Sequence, residues 1–346
     1  MRHSLLSRFQ GTLLVAALGD ELGTYSRLGQ PSTPDGTTGL RQDLSALAPA
    51  NLTSWHPGSA SGRSISSTSS APWGSAAVRC ARALVQAGSW HELEMAAIGV
   101  RLAADRLAVG AALGKPRASL KAAEGALATL PIALFFYDSE IRQQQLLVQT
   151  VQLWQAPPDG EAGLLAIGYA IAQVLKERLE RLTLLPQILA YLKQSTAKPT
   201  ASLLNLTKTL EQVQTLLQHG AGLYAAIEQL RAVTTQSESR AIAIAFYCFL
   251  STPDDLRLSL LRAARSGEVA PAACALTGAL SGAHNSLNGL PLSWRINSSI
   301  PLLWGLSSEE MNQLAARLFA VWSGVYASGT VTNASAIAAP GVIRPR

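Results

Sequence analysis

A chain of 346 residues, 48% hydrophobic and 14% charged, has material for a large core and is not a disordered polypeptide. Its net charge of +6 comes from a scarcity of acids, and no basic run interleaved with aromatics occurs, so a nucleic-acid partner is not expected. The three cysteines, Cys80, Cys248 and Cys274, stand at unrelated spacings in apolar stretches, which excludes a disulfide framework and a zinc site and points to the reducing cytoplasm.

Residues 1–10 are basic and 11–19 apolar, an imitation of a short signal peptide. The apolar run is too short for one and leads directly into the sequence GDELG, and no apolar stretch is long enough to span a bilayer. Residues 11–23 instead predict a helix with Leu14, Ala17, Leu18 and Leu22 on one side. Residues 24–72 are rich in Ser, Gly, Pro, Thr and Asn and read as a loop pinned by Trp55 and Trp73. A helix follows over 74–87, preceded by the serine run at 66–71, and no Asp or Glu occurs between Leu44 and His91.

Ser89 with Glu92 forms a capping-box pattern, and 120–136 ends in the apolar ATLPIALFF. Residues 160–176 predict a helix burying Leu164, Ile167, Ile171, Val174 and Leu175. Leu203, Leu206, Leu210, Val213 and Leu217 step by three and four residues, the spacing of a helix lying along another helix. That stripe serves either a neighbour inside the domain or a protein partner. Residues 237–250, apolar on all sides, predict a central buried helix.

At 251–294, Thr252 reads as an N-cap with Pro253 at the first helical position and Asp255 at the third, and the helix ends near Gly267. A second helix begins near Pro271, and its small residues, Ala272 through Ala283, allow close backbone approach. Ser307 with Glu310 caps a last helix reaching about Tyr326, and the tail 327–346 is expected to be disordered.

Two of these stretches resemble the ADP-ribosylglycohydrolase family. Gly11, Gly19, Asp20 and Gly23 match its opening G-x-x-x-G-x-A-x-G-D-x-x-G helix. Residues 263–273 fit its A-V-N-x-G-G-D-T-D-T-N run without a gap, and Gly278, Ala279, Gly282, Ala283, Leu290, Pro291 and Trp294 fall on the G-A-x-x-G-A and I-P-x-x-W elements that follow. The resemblance implies an all-α, ADP-ribosylglycohydrolase-like orthogonal helical bundle, one domain over 1–326, and an ancestral reaction in which two magnesium ions help hydrolyse a bond to ADP-ribose.

The departures fall on the metal. Val269, Ala270, Pro271 and Ala272 stand where the family has D-T-D-T, and the serine run at 66–71 stands where it has T-D-D-T. Magnesium needs hard oxygen ligands from several carboxylates, so no metal site, no cofactor and no catalytic residue are expected. Asp20, Ser69, Ser70, Gly267 and Glu268 remain as candidates to line the old cleft. Each carboxylate also has a plainer reading: Asp20 as a hydrogen-bond anchor at its helix, Glu268 as a solvated turn residue. His3, His56, His91, His219 and His284 are dispersed, with His284 expected to be a satisfied structural histidine, and no G-x-S-x-G elbow is present.

The expectation is therefore a catalytically inactive relative acting as a binding or regulatory module, with an ADP-ribose-like or nucleotide ligand or a protein partner on the 203–217 helix. The alternative is an active ADP-ribosyl hydrolase with a relocated or metal-independent site built on Asp20 and Glu268.

Overall fold

The computed structural model describes residues 3–28, 72–87, 122–153, 160–195, 200–296 and 303–325. Fourteen α-helices occur among them: α1 (Leu5–Leu28), α2 (Pro72–Ala87), α3 (Ala122–Ala128), α4 (Leu130–Phe135), α5 (Glu140–Leu153), α6 (Glu161–Leu175), α7 (Leu184–Ser195), α8 (Ala201–Gln218), α9 (Leu223–Val233), α10 (Ser237–Ser251), α11 (Leu256–Ala263), α12 (Ala270–Asn285), α13 (Leu292–Ile296) and α14 (Ser308–Trp322). No strand appears among the described residues, apart from one isolated bridge between Leu303 and Leu306.

The centre of the fold is the pair α1 and α12, which come from opposite ends of the chain and run antiparallel. Gly11 faces Gly282, Val15 faces Gly278, Gly19 faces Cys274 and Gly23 faces Ala270, so the contact repeats every four residues on both helices. A Cβ built on Gly11 would lie 2.6 Å from the Gly282 carbonyl oxygen, and those on Gly19, Gly23, Gly278 and Gly282 would overlap backbone of the other helix. The glycines therefore let two helix backbones touch, bringing peptide dipoles and Cα hydrogens into van der Waals range.

Around this pair the core continues as one cluster of buried apolar side chains. Helix α10 is buried from Ser239 to Leu250, as its all-round apolar sequence predicts. Helix α6 buries Leu164, Ile167, Ile171, Val174 and Leu175. Helix α8 buries Leu203, Leu206, Leu210, Val213 and Leu217 and packs against α10. That stripe is consumed inside the molecule, so the helix does not offer it to a protein partner.

Three boundaries differ from the sequence reading. Helix α1 continues to Leu28, so residues 24–28 are helical rather than loop, because Ser26 still has a partner, donating to the Ala264 carbonyl at 2.6 Å. Thr252 is not the N-cap of α11. Helix α10 runs on to Ser251, and the Thr252 hydroxyl donates back to the Cys248 carbonyl at 3.1 Å. Asp255 is the cap instead, accepting the Leu258 N–H at 2.8 Å. Helix α14, opened by a full capping box of Ser307 and Glu310, stops at Trp322 because Gly324 takes φ 74° and Val325 N–H closes onto the Ala320 carbonyl at 3.0 Å.

Candidate functional site

Asp20 lies on α1 one residue beyond Gly19 and is 6% exposed. Its partner comes from far along the chain. The Trp304 indole Nε1 donates to Asp20 Oδ2 at 2.9 Å. Trp304 is presented by a tight turn in which Leu303 N–H donates to the Leu306 carbonyl at 2.7 Å and Leu306 N–H to the Leu303 carbonyl at 2.9 Å. Both central residues are left-handed, Trp304 at φ 52° and Gly305 at φ 83°, the signature of a type I′ turn. Glycine takes that conformation freely; a tryptophan there costs of order 1–3 kcal/mol, which the surrounding contacts must offset.

Those contacts are on α2. The Trp304 ring lies directly over Gly74, where any Cβ would overlap indole atoms. Trp73, the next residue on α2, is also close to Asp20. Its indole acts on the carboxyl as a donor, although Trp73 Nε1 and Asp20 Oδ1 do not meet in a well-formed hydrogen bond. Burial pushes the Asp20 pKa up to about 6, while the two indoles and the charge of Arg27 pull in the other direction. The space between α1, α2 and the 303–306 turn is thus taken by an indole, hydrogen-bonded to the one acid that keeps its motif position.

The second half of the candidate site is a 3₁₀ turn, Gly267–Val269, leading into α12. Gly267 provides the left-handed residue at φ 73°. Glu268 is turned to solvent, with its side chain 66% exposed, and pairs with Arg240 of α10, whose side chain is 7% exposed. Its chemistry is to compensate a buried guanidinium, and no hydrogen bond or ion pair joins it to Asp20. Val269 and Ala270 are buried, and Ala270 lies against Gly23.

Magnesium does not fit this set of donors. Val269, Ala270, Pro271 and Ala272 have no side-chain oxygen, and Asp20 accepts an indole N–H. Among the described residues no group of three or more His, Cys, Asp and Glu side chains could hold a metal ion. Ser69 and Ser70 lie outside the described residues. His284 is only half satisfied: Nε2 meets Asp254 Oδ1 at 3.1 Å, while Nδ1 is buried without a partner.

Trp304, Gly74 and Arg240 were not among the candidates read from the sequence. A signal for Trp304 was present, because the I-P-x-x-W wording occurs twice, loosely at Leu290–Trp294 and literally at residues 300–304. The first tryptophan is a core residue, 2% exposed; the second reaches Asp20.

A model of the ADP-ribosylglycohydrolase family matches residues 1–328. No curated protein matches the chain. A solved structure described as an ADP-ribosylglycohydrolase-related protein complex shares the fold, with a TM-score of 0.53 and 17% identity over 92% of this chain and 99% of its own. With a family match over nearly its whole length, the chain belongs to the ADP-ribosylglycohydrolase family.

Proposed function

We propose that this chain is a non-catalytic member of its family that works as a binding or regulatory module. The observation that carries this reading is the Trp304 indole, donating to Asp20 and covering Gly74 in the space the helices enclose. A hydrolase needs carboxylates converging on one cleft to hold ions and activate water. Here Asp20 answers indoles and Glu268 answers Arg240, which argues against the alternative of an active hydrolase built on those two residues.

An ADP-ribose-like ligand is the family's substrate class, and the filled space disfavours it in this chain. A protein partner is the remaining class, in keeping with a structural relative described as part of a complex. The leucine stripe of α8 is buried, so such a partner would use another surface. We take residues 1–326 as the working unit and 327–346 as an appended tail. The three cysteines are free and buried, which suits a reducing cytoplasm, and among the described residues no helix is long and apolar enough to cross a membrane.

The test is turnover. Incubation with an ADP-ribosylated protein and magnesium should release no ADP-ribose above the protein-free blank. Saturable, magnesium-dependent release would overturn the reading.

A further inference from the structure

At the other end of the α1 and α12 pair, about 18 Å from Asp20 along α1 at 1.5 Å per residue, lies a cavity of about 320 Å³ lined by His3, Arg8, Glu177, Asp254, His284 and Asn285. It sits where the start of α1 meets the ends of α6 and α12. Its polar groups are incompletely matched. The Arg8 side chain is 8% exposed, yet among the described residues its Nη1 donates to the Leu175 carbonyl at 3.1 Å, its Nε has no hydrogen-bond partner, and Glu177 Oε1 stands off at 3.8 Å. Burial lowers the Arg8 pKa, opposed in part by Glu177 and Tyr137. A buried guanidinium so thinly compensated favours an anionic group beside it.

Glu177 adds a second observation. It occupies the left-handed position after α6 at φ 57°, where Arg178 N–H closes back on the Gln173 carbonyl at 2.9 Å. Glycine is the usual residue in that closing motif, and a glutamate there costs conformational energy while placing a carboxylate at the cavity wall. Asp254, its side chain 91% exposed, sets a second carboxylate at the rim and holds His284 at 3.1 Å.

The lining narrows the ligand. Among the described lining residues only Val174 and Leu179 are apolar, so a greasy molecule has little to gain. No Phe, Tyr or Trp is among the described lining residues to stack a base, and two carboxylates repel phosphates. No group of His, Cys, Asp and Glu among the described residues is arranged to hold a metal ion. A buried cation at the floor with carboxylates at wall and rim matches a molecule that carries both charges.

We propose that this cavity binds a small zwitterion of amino-acid type, its carboxylate on Arg8 and its ammonium on Glu177 and Asp254. The test is a saturation-transfer NMR screen of the full chain against the twenty free L-amino acids, followed by calorimetry on those that bind. At least one should saturate, and its decarboxylated amine and its deaminated acid should each bind about tenfold more weakly or worse. Asp254→Asn, a change at an exposed side chain, should weaken binding about tenfold. Glu177→Gly should lower affinity while the melting temperature holds or rises, since glycine suits the backbone there. The proposal is overturned if no amino acid saturates, if either half-analogue binds as tightly as the parent, or if both variants keep full affinity.

Discussion

Asp20 sits where burial and hydrogen bonding oppose each other. Burial favours the protonated carboxyl, the two indole N–H groups favour the carboxylate, and burial prevails, moving the pKa from an ordinary 3.8 to about 6. A native pKa above the unfolded one means that the folded protein holds its proton more tightly. The stability this contributes is fully present below pH 3.8 and is lost as pH rises through about 6. Two pH units of such a shift correspond to about 3 kcal/mol. Urea unfolding of the parent and of Asp20→Asn should show it: between pH 4 and pH 7 the parent should lose about 2 kcal/mol relative to the variant. Parallel pH profiles would mean that Asp20 is not the titrating group. Its burial was not readable from a single aspartate in a G-D motif, because the group that buries it, Trp304, is 284 residues away.

At the scale of elements, the glycines of the family wording have a packing role. Gly11, Gly19 and Gly23 on α1 and Gly278 and Gly282 on α12 are where two backbones meet, a role that needs no carboxylate nearby. This explains why the N-terminal and C-terminal motifs were recognisable from the sequence although 269–272 carry no acid: a helix contact constrains small residues, and a metal constrains acids, independently. Gly19→Ala tests the contact, because its Cβ would overlap the Cys274 carbonyl, backbone that cannot swing aside. Denaturant unfolding should give a loss of about 1–3 kcal/mol, against the gain that alanine normally brings to a helix interior. An unchanged or increased stability would contradict the contact. Buried faces of α6, α8 and α10 were equally legible, since periodicity reports burial directly. Caps were less so. Thr252 and Asp255 both have capping side chains, and only the extent of α10 decides between them.

For the whole molecule, the scaffold and the chemistry have separate sequence signals. The all-helical fold follows from helical periodicity and two motifs placed at opposite ends of the chain, which the structure brings together as its central pair. The absence of acids where the family resemblance leads one to expect them was visible between Leu44 and His91 and at 269–272. What Asp20 meets in the fold was not visible, because it depends on a strained turn at residues 303–306 and on the absence of a side chain at Gly74. Glu268 likewise looked available until the fold placed Arg240 beside it. We propose that the Trp304 indole, packed on Asp20 and Gly74, leaves no room for an ADP-ribose-like ligand. Isothermal titration calorimetry of the full chain with ADP-ribose, with and without magnesium, tests it most directly. Neither condition should give saturable heat; saturable binding, above all binding that requires magnesium, would overturn the proposal.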